Sequence, residues 1–250
     1  MNILGVIPSR YASSRFPGKP LVDIAGKSMI QRVYEQCSKS QSLSSLVVAT
    51  DDHRIYDHVQ QFGGRAVMTS PDHPSGTDRC MEALEKMEED FDYVINIQGD
   101  EPFIQPNQID KIAELLNGAT QLATLVMQSD SMEHILSHDE AHVVFTKDMN
   151  ALYFSREPIP HLRGKERDAW ASEKQHYLQI GIYGYRTDIL EEITQLNKSN
   201  LEVAESLEQL RWLESGYQIK LGLTNQPSFG IDKPEDIAPL LNLYSRQKRE

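Results

Sequence analysis

The sequence has 250 residues, with 25 Lys and Arg against 37 Asp and Glu and a formal net charge of -12. That length suffices for one large α/β domain with a buried core, and the acidity excludes a nucleic-acid groove, which needs clustered positive charge. Cys37 and Cys80 have neither metal nor redox spacing, so both are expected as reduced thiols of a cytoplasmic protein.

Residues 3–7 are apolar throughout, as in a strand buried on both faces, and run at once into polar loop, which predicts neither a signal peptide nor a membrane span. Ser28 is expected to cap a helix to about residue 38. Residues 46–50 form the next strand, and 53–62 the next helix, ended by Gly63-Gly64. A strand over 65–68, a helix over 77–87, a buried strand over 93–97 and a helix from Pro106 to Leu116 follow. After a strand over 122–127 the pattern loosens, with short strands over 143–146 and 151–154 and a charged loop over 163–168. A strand over 179–185, helices over 189–196 and 201–215, a strand over 219–223 and a closing helix over 234–246 complete the chain. This alternation predicts a single α/β domain, an open and mostly parallel sheet with helices on both faces. The segment of about 129–186 is expected as a smaller α+β excursion used for dimerisation and acceptor binding.

The loop after the first strand, Pro8-Ser-Arg-Tyr-Ala-Ser-Ser-Arg-Phe-Pro-Gly-Lys-Pro20, stands where open α/β sheets bind ligands. Arg10, Arg15 and Lys19, the hydroxyls of Ser13 and Ser14, and Gly18 suit a nucleoside triphosphate. The Walker spacing is missing. Asp100 closes an apolar strand in Asn-Ile-Gln-Gly-Asp-Glu-Pro, and Asp232 lies in Phe-Gly-Ile-Asp-Lys-Pro-Glu-Asp between the last strand and last helix. Both are natural Mg²⁺ ligands, and Asp232 reads equally well as a helix cap.

These stretches, with Ala49-Thr-Asp51, Ser75-Gly-Thr-Asp-Arg79, Ala151-Leu-Tyr-Phe-Ser-Arg156, Gly181-Ile-Tyr-Gly-Tyr-Arg186 and Leu207-Glu-Gln-Leu-Arg211, resemble the 3-deoxy-manno-octulosonate (Kdo) cytidylyltransferase family over nearly the whole chain. The resemblance implies a homodimeric, Mg²⁺-dependent enzyme with a nucleotide-binding sheet. It would make CMP-Kdo and pyrophosphate from CTP and Kdo for lipopolysaccharide biosynthesis, while the acidic charge and the lack of a long apolar run predict no nucleic-acid or membrane partner. It implies that Arg10, Ser14, Arg15 and Lys19 hold the triphosphate and that Asp51, Ser75, Gly76 and Thr77 surround cytosine and ribose. It implies further that Gln98, Arg156, Tyr183, Glu208 and Gln209 meet the sugar acid, and that Asp100 and Asp232 bind the metal. Read from the residues alone, Asp51 could cap the following helix, Tyr183 could be a strand aromatic and Arg156 could pair with a surface acid. Glu208 and Gln209 could be solvated neighbours of an apolar stripe, Ala204, Leu207 and Leu210.

The chain departs from the family pattern at His142, where a lysine is usual, and at Gln179, where a histidine is usual. Both flank segments assigned to the sugar acid, so Gln179 is counted with that site and both residues are expected near the acceptor. A related acceptor, an aminated Kdo or a neuraminate-like acid, is the alternative substrate. A non-catalytic nucleotide sensor is opposed by Lys19, Asp100 and Asp232, and a dinucleotide oxidoreductase by the lack of G-x-G-x-x-G after the first strand.

Overall fold

The computed structural model describes residues 1–12 and 16–247, with side chains of the closing helix described through residue 242. In chain order the elements are β1 (Ile3–Ser9), α1 (Met29–Cys37), β2 (Ser45–Thr50), α2 (His53–Gln61), β3 (Ala66–Met68), α3 (Gly76–Glu85), β4 (Tyr93–Asn96) and α4 (Pro106–Leu115). There follow β5 (Leu122–Gln128), α5 (Met132–Ile135), β6 (His142–Phe145), β7 (Ala151–Ser155), α6 (Trp170–Glu173) and β8 (Tyr177–Arg186). The last are α7 (Thr187–Thr194), α8 (Asn200–Glu205), α9 (Gln209–Glu214), β9 (Ile219–Leu223) and α10 (Ile237–Gln247). The chain divides into two compact units, residues 1–110 with 228–250, and residues 111–227.

In the first unit β1 lies between β2 and β4, and β2 carries β3, all parallel. Parallel neighbours need crossover connections, and the amphipathic helices supply them. α1 buries Met29, Ile30, Val33 and Cys37 and is capped by Ser28, whose side chain accepts from the Gln31 N–H. α2 buries Ile55 and Val59. Ile3, Leu4, Val6 and Ile7 of β1 are buried, as the unbroken apolar run requires. Because the strands share a direction, the segments that follow Ser9, Thr50 and Asn96 leave one edge of the sheet together. Gly99 is needed at that edge. A Cβ there would stand 2.8 Å from the Pro8 carbonyl oxygen and 2.8 Å from Ser9 Oγ.

In the second unit β5 pairs antiparallel with β8 and parallel with β9, and β6 and β7 form an antiparallel pair that touches β8 at His142 and Leu178. The register of β5 against β8 shifts between Thr124 and Leu125, which face Tyr183 and Ile180, so Gly181 and Ile182 form a bulge. Thr124 Oγ1 lies 3.1 Å from the Ile180 carbonyl and 2.8 Å from that of Ile182, which serves the carbonyls the bulge frees.

The single helix expected over 201–215 is instead two helices, α8 and α9, parted at Ser206, which has φ 53. Ala204 is exposed and so belongs to no core stripe. The buried pair across the break is ionic: Arg211 Nη2 and Nε donate to Glu202 at 2.6 and 2.8 Å. Among the described residues no helix is long and apolar enough to cross a membrane.

Candidate active site

After β1 the chain turns at Gly18, whose φ of 73 favours glycine, and whose N–H donates to the Tyr11 carbonyl at 2.9 Å. The turn sends Lys19 inward. Its ammonium donates to Asp100 Oδ2 at 2.7 Å, to the Ile231 carbonyl at 2.9 Å and to Asp232 Oδ1 at 3.5 Å. The Ile231 N–H in turn donates to the Asp100 carbonyl at 3.0 Å, so backbone as well as charge ties the two acidic loops together. Arg10, Lys19, Gln98, Asp100 and Asp232 line a cleft of about 470 Å³ within this unit. Gln98, expected at the sugar acid, thus stands in the same cleft as the phosphate-binding candidates. Asp232 is not the helix cap. Lys233 takes that place, and the Asp236 carboxylate accepts the N–H groups of Asp232 and Lys233 at 2.8 Å each.

Glu101, beside Asp100, is a residue the sequence argument passed over. It is 8% exposed. Burial pushes its carboxyl up to about 7, the Asp100 charge adds to the rise, and the Ser228 hydroxyl opposes it.

At the end of β2 the two consecutive acids divide their work. Asp52 caps α2, accepting from the Arg54 N–H at 2.9 Å, while Asp51 accepts from the buried Arg79 at 3.2 Å. Burial holds the Arg79 guanidinium below its ordinary value, and the Asp51 charge partly restores it. Ser75 is expected beside the nucleoside, and its hydroxyl caps α3, accepting from Thr77 and Asp78 N–H and donating to Asp78 Oδ2 at 2.5 Å. Thr77 is buried, with 2% exposure. Ser14 and Arg15 lie outside the described residues.

The second unit gathers most of the residues expected to meet the sugar acid around Tyr183. The bulge brings Gln179 to it. Gln179 Nε2 donates to the Tyr183 hydroxyl and, at 3.4 Å, to Thr124 Oγ1, while Gln179 Oε1 accepts from Gln209 Nε2 at 2.7 Å. Burial raises the Tyr183 phenol well above its ordinary value, keeping it a neutral donor; Glu208 adds to the rise, and Gln179 and Arg156 oppose it. Gln209 is 4% exposed, so it is part of this chain of hydrogen bonds and not a solvated neighbour. Arg156, after β7, donates from Nη1 to the Asp139 carbonyl at 2.7 Å. The corner's acid is Glu205, which no sequence signal singled out, and which accepts from Tyr153, Ser155 and Arg156.

His142 does not reach a ligand. It is fully buried, edge-on to His176, which stacks on Trp170. Burial, reinforced by His176, pushes its pKa down to about 4, so the ring is neutral. The site-facing change relative to the family pattern is Gln179 alone.

Residues 4–220 match a family model described as cytidylyltransferase. The 3-deoxy-manno-octulosonate cytidylyltransferase of Parabacteroides distasonis is 53% identical, over 96% of this chain and 97% of its own. That of Porphyromonas gingivalis is 49% identical, over 100% and 99%. Among solved structures, a CMP:2-keto-3-deoxy-manno-octonic acid synthetase complexed with CTP is similar with a TM-score of 0.90 and 41% identity, over 99% of this chain and 100% of that one. The 4-diphosphocytidyl-2C-methyl-D-erythritol synthase of Anaerococcus prevotii, at 12% identity and a TM-score of 0.62, shares the fold. That fold is the open, mostly parallel α/β sheet of nucleotidyltransferases, and by sequence the chain belongs to the 3-deoxy-manno-octulosonate cytidylyltransferase family.

Proposed function

We propose that this chain transfers the cytidylyl group of CTP to the anomeric hydroxyl of Kdo, giving CMP-Kdo and pyrophosphate. The observation that carries the reading is the Lys19 ammonium held between Asp100 and Asp232 in a cleft that Arg10 also lines. The names of the relatives support the two substrates.

The donor set suits magnesium. Two carboxylates already share one cation, and among the described residues no third His, Cys, Asp or Glu groups with them. Such a set leaves coordination positions to phosphate oxygens and water, as Mg²⁺ prefers. Asp100 and Asp232 would hold the ion, which when bound supplies positive charge against the triphosphate. Arg10 and Lys19 bind phosphate oxygens and offset the charge that grows on the departing pyrophosphate, with Arg15 placed among them by sequence. In the second unit Arg156 offers a guanidinium to the acceptor's carboxylate, and Tyr183, Gln179 and Gln209 offer neutral hydrogen bonds. The anomeric oxygen forms the new bond to the α-phosphorus, the α–β phosphoanhydride breaks, and the hydroxyl proton passes to solvent. Positioning and electrostatics supply most of the acceleration.

The working assembly is a homodimer in this reading, supported by the exposed Leu152, Leu201 and Val203 of the second unit. Sedimentation of a monomer at micromolar concentration would contradict it. An amine-bearing acceptor is a second reading that Gln179 favours, because it leaves the Tyr183 cluster without the imidazole of the family pattern. Pyrophosphate release from CTP across Kdo, 8-amino-Kdo and neuraminate separates the two. Turnover with Kdo at the highest kcat/KM is expected, and no release with any of the acids sinks the reading.

A further inference from the structure

Arg156 follows the last residue of β7, where no strand ladder fixes its side chain. Two other groups fix it. Its Nη1 donates to the Asp139 carbonyl at 2.7 Å and its Nε to the Glu205 carbonyl at 3.4 Å, while Nη2 has no protein partner among the described residues. The Glu205 side chain completes the hold. Its Oε1 accepts from the Tyr153 hydroxyl at 3.1 Å and from Ser155 Oγ at 3.0 Å, and its Oε2 accepts from the Arg156 N–H at 2.8 Å. One carboxylate therefore gathers three polar groups, from Tyr153, Ser155 and Arg156, at the point where the chain leaves the sheet.

Glu205 is also the last residue of α8, directly before Ser206, whose positive φ breaks the helix. α9 then opens with Gln209, whose amide donates to Gln179 and through it reaches Tyr183. The helix break and the Glu205 clamp thus join two sets of acceptor-binding candidates, the guanidinium after β7 and the amide–phenol chain on β8 and α9. An ionised carboxylate only accepts, so three converging donors satisfy it without a counter-ion. A negative charge half-buried beside the grip for an anionic sugar is otherwise unfavourable.

We propose that Glu205 is a positioning residue for the acceptor: its carboxylate, by accepting the Arg156 N–H and the Tyr153 and Ser155 hydroxyls, clamps the end of β7 to the α8–α9 corner and so sets the place from which the Arg156 guanidinium offers Nη2 to the sugar acid's carboxylate. The assignment rests on the reading of Arg156 as an acceptor-binding group. It predicts an effect confined to the acceptor and transmitted through Arg156.

The test is steady-state kinetics on the full chain, with pyrophosphate release as the signal and whichever 2-keto acid the wild-type protein uses best as acceptor. Glu205→Ala raises KM for the acceptor by roughly tenfold or more and leaves KM for CTP within about twofold, the loss expected for a charge-assisted anchor. Glu205→Gln recovers most of that loss, because the two hydroxyls can turn to accept from its NH₂ while its oxygen keeps the Arg156 N–H. In an Arg156→Ala background Glu205→Ala adds less than about twofold, the non-additivity of two residues acting as one. A role in folding alone would move both KM values or leave the Arg156→Ala background sensitive, and either result overturns the assignment. So does a fall in acceptor KM, which would mean the carboxylate merely repels the acid. Wild-type turnover with an unmoved acceptor KM in Glu205→Ala overturns the assignment alone. Wild-type protein that uses no acid overturns the proposed function and this assignment with it.

Discussion

Replacing Lys19 by Met keeps the length of the side chain and removes its charge. The ammonium makes one short ion pair, 2.7 Å to Asp100, with the two side chains 15% and 31% exposed, a hydrogen bond of 2.9 Å to the Ile231 carbonyl, and one longer ion pair, 3.5 Å to Asp232, which is 51% exposed. A charged hydrogen bond of the first kind is worth about 1.5–3 kcal/mol when a partner is left unpaired. The longer pair, half in water, adds little. Without ligand, Asp100 can take up water once the ammonium is gone, so Lys19→Met should destabilise the free protein by only about 1 kcal/mol. In the reaction the same ammonium faces phosphate oxygens whose charge grows. Losing it there should lower kcat/KM for CTP by about ten- to hundredfold, at 1.36 kcal/mol per factor of ten. The assay is initial-rate pyrophosphate release at saturating Kdo, paired with urea unfolding of the free protein. A kcat/KM within threefold of wild type, or a loss wholly matched by unfolding, would refute the reasoning.

Asp100→Ala and Asp232→Ala should each reduce turnover below detection while the protein still unfolds cooperatively, and near-normal kcat in Asp232→Ala would remove that residue from the metal site. Gly99→Ala places a methyl 2.8 Å from the Pro8 carbonyl oxygen, a backbone atom with little room to yield. A stability loss of about 1–3 kcal/mol and weaker CTP binding are expected from such overpacking, and an unchanged melting temperature would show that the loop moves freely. The buried His142, with its pKa near 4 against 6.5 for a free histidine, gives a pH signature. The fold prefers the neutral ring, so its contribution is complete above about pH 6.5 and is lost as pH falls towards 4. Between pH 6.5 and 5 the wild-type protein should lose at most about 2 kcal/mol more than His142→Leu, and parallel pH profiles of the two would contradict this.

Much of the scaffold was legible because its signals are local. Apolar runs marked β1, β2 and β4, Ser28 marked the start of α1, and the ends of β1 and β4 placed Lys19 and Asp100 on one edge of a sheet. What escaped depends on backbone states or partners that leave no local trace. The break at Ser206 has φ 53 without a glycine to announce it, so a continuous helix was the natural expectation. The bulge at Gly181 and Ile182, which lets Gln179 reach Tyr183, appears only once β8 is paired with β5. Asp51 and Asp52 are indistinguishable as caps until Arg79 is seen to take one of them. His142 flanks a site segment in sequence, yet its side chain points into a core of His176 and Trp170. Glu205 gained its role through contacts with residues 49–52 positions away, a separation no periodicity encodes.

The central claim, cytidylyl transfer to a sugar acid, is tested most directly by phosphorus NMR of the protein with CTP, Mg²⁺ and Kdo. The triphosphate signals should give way to those of one phosphodiester and of pyrophosphate in equal amounts, with no change when Kdo is omitted or ATP replaces CTP. Unchanged CTP, release of CDP, or pyrophosphate formed equally well without any sugar acid would contradict the account.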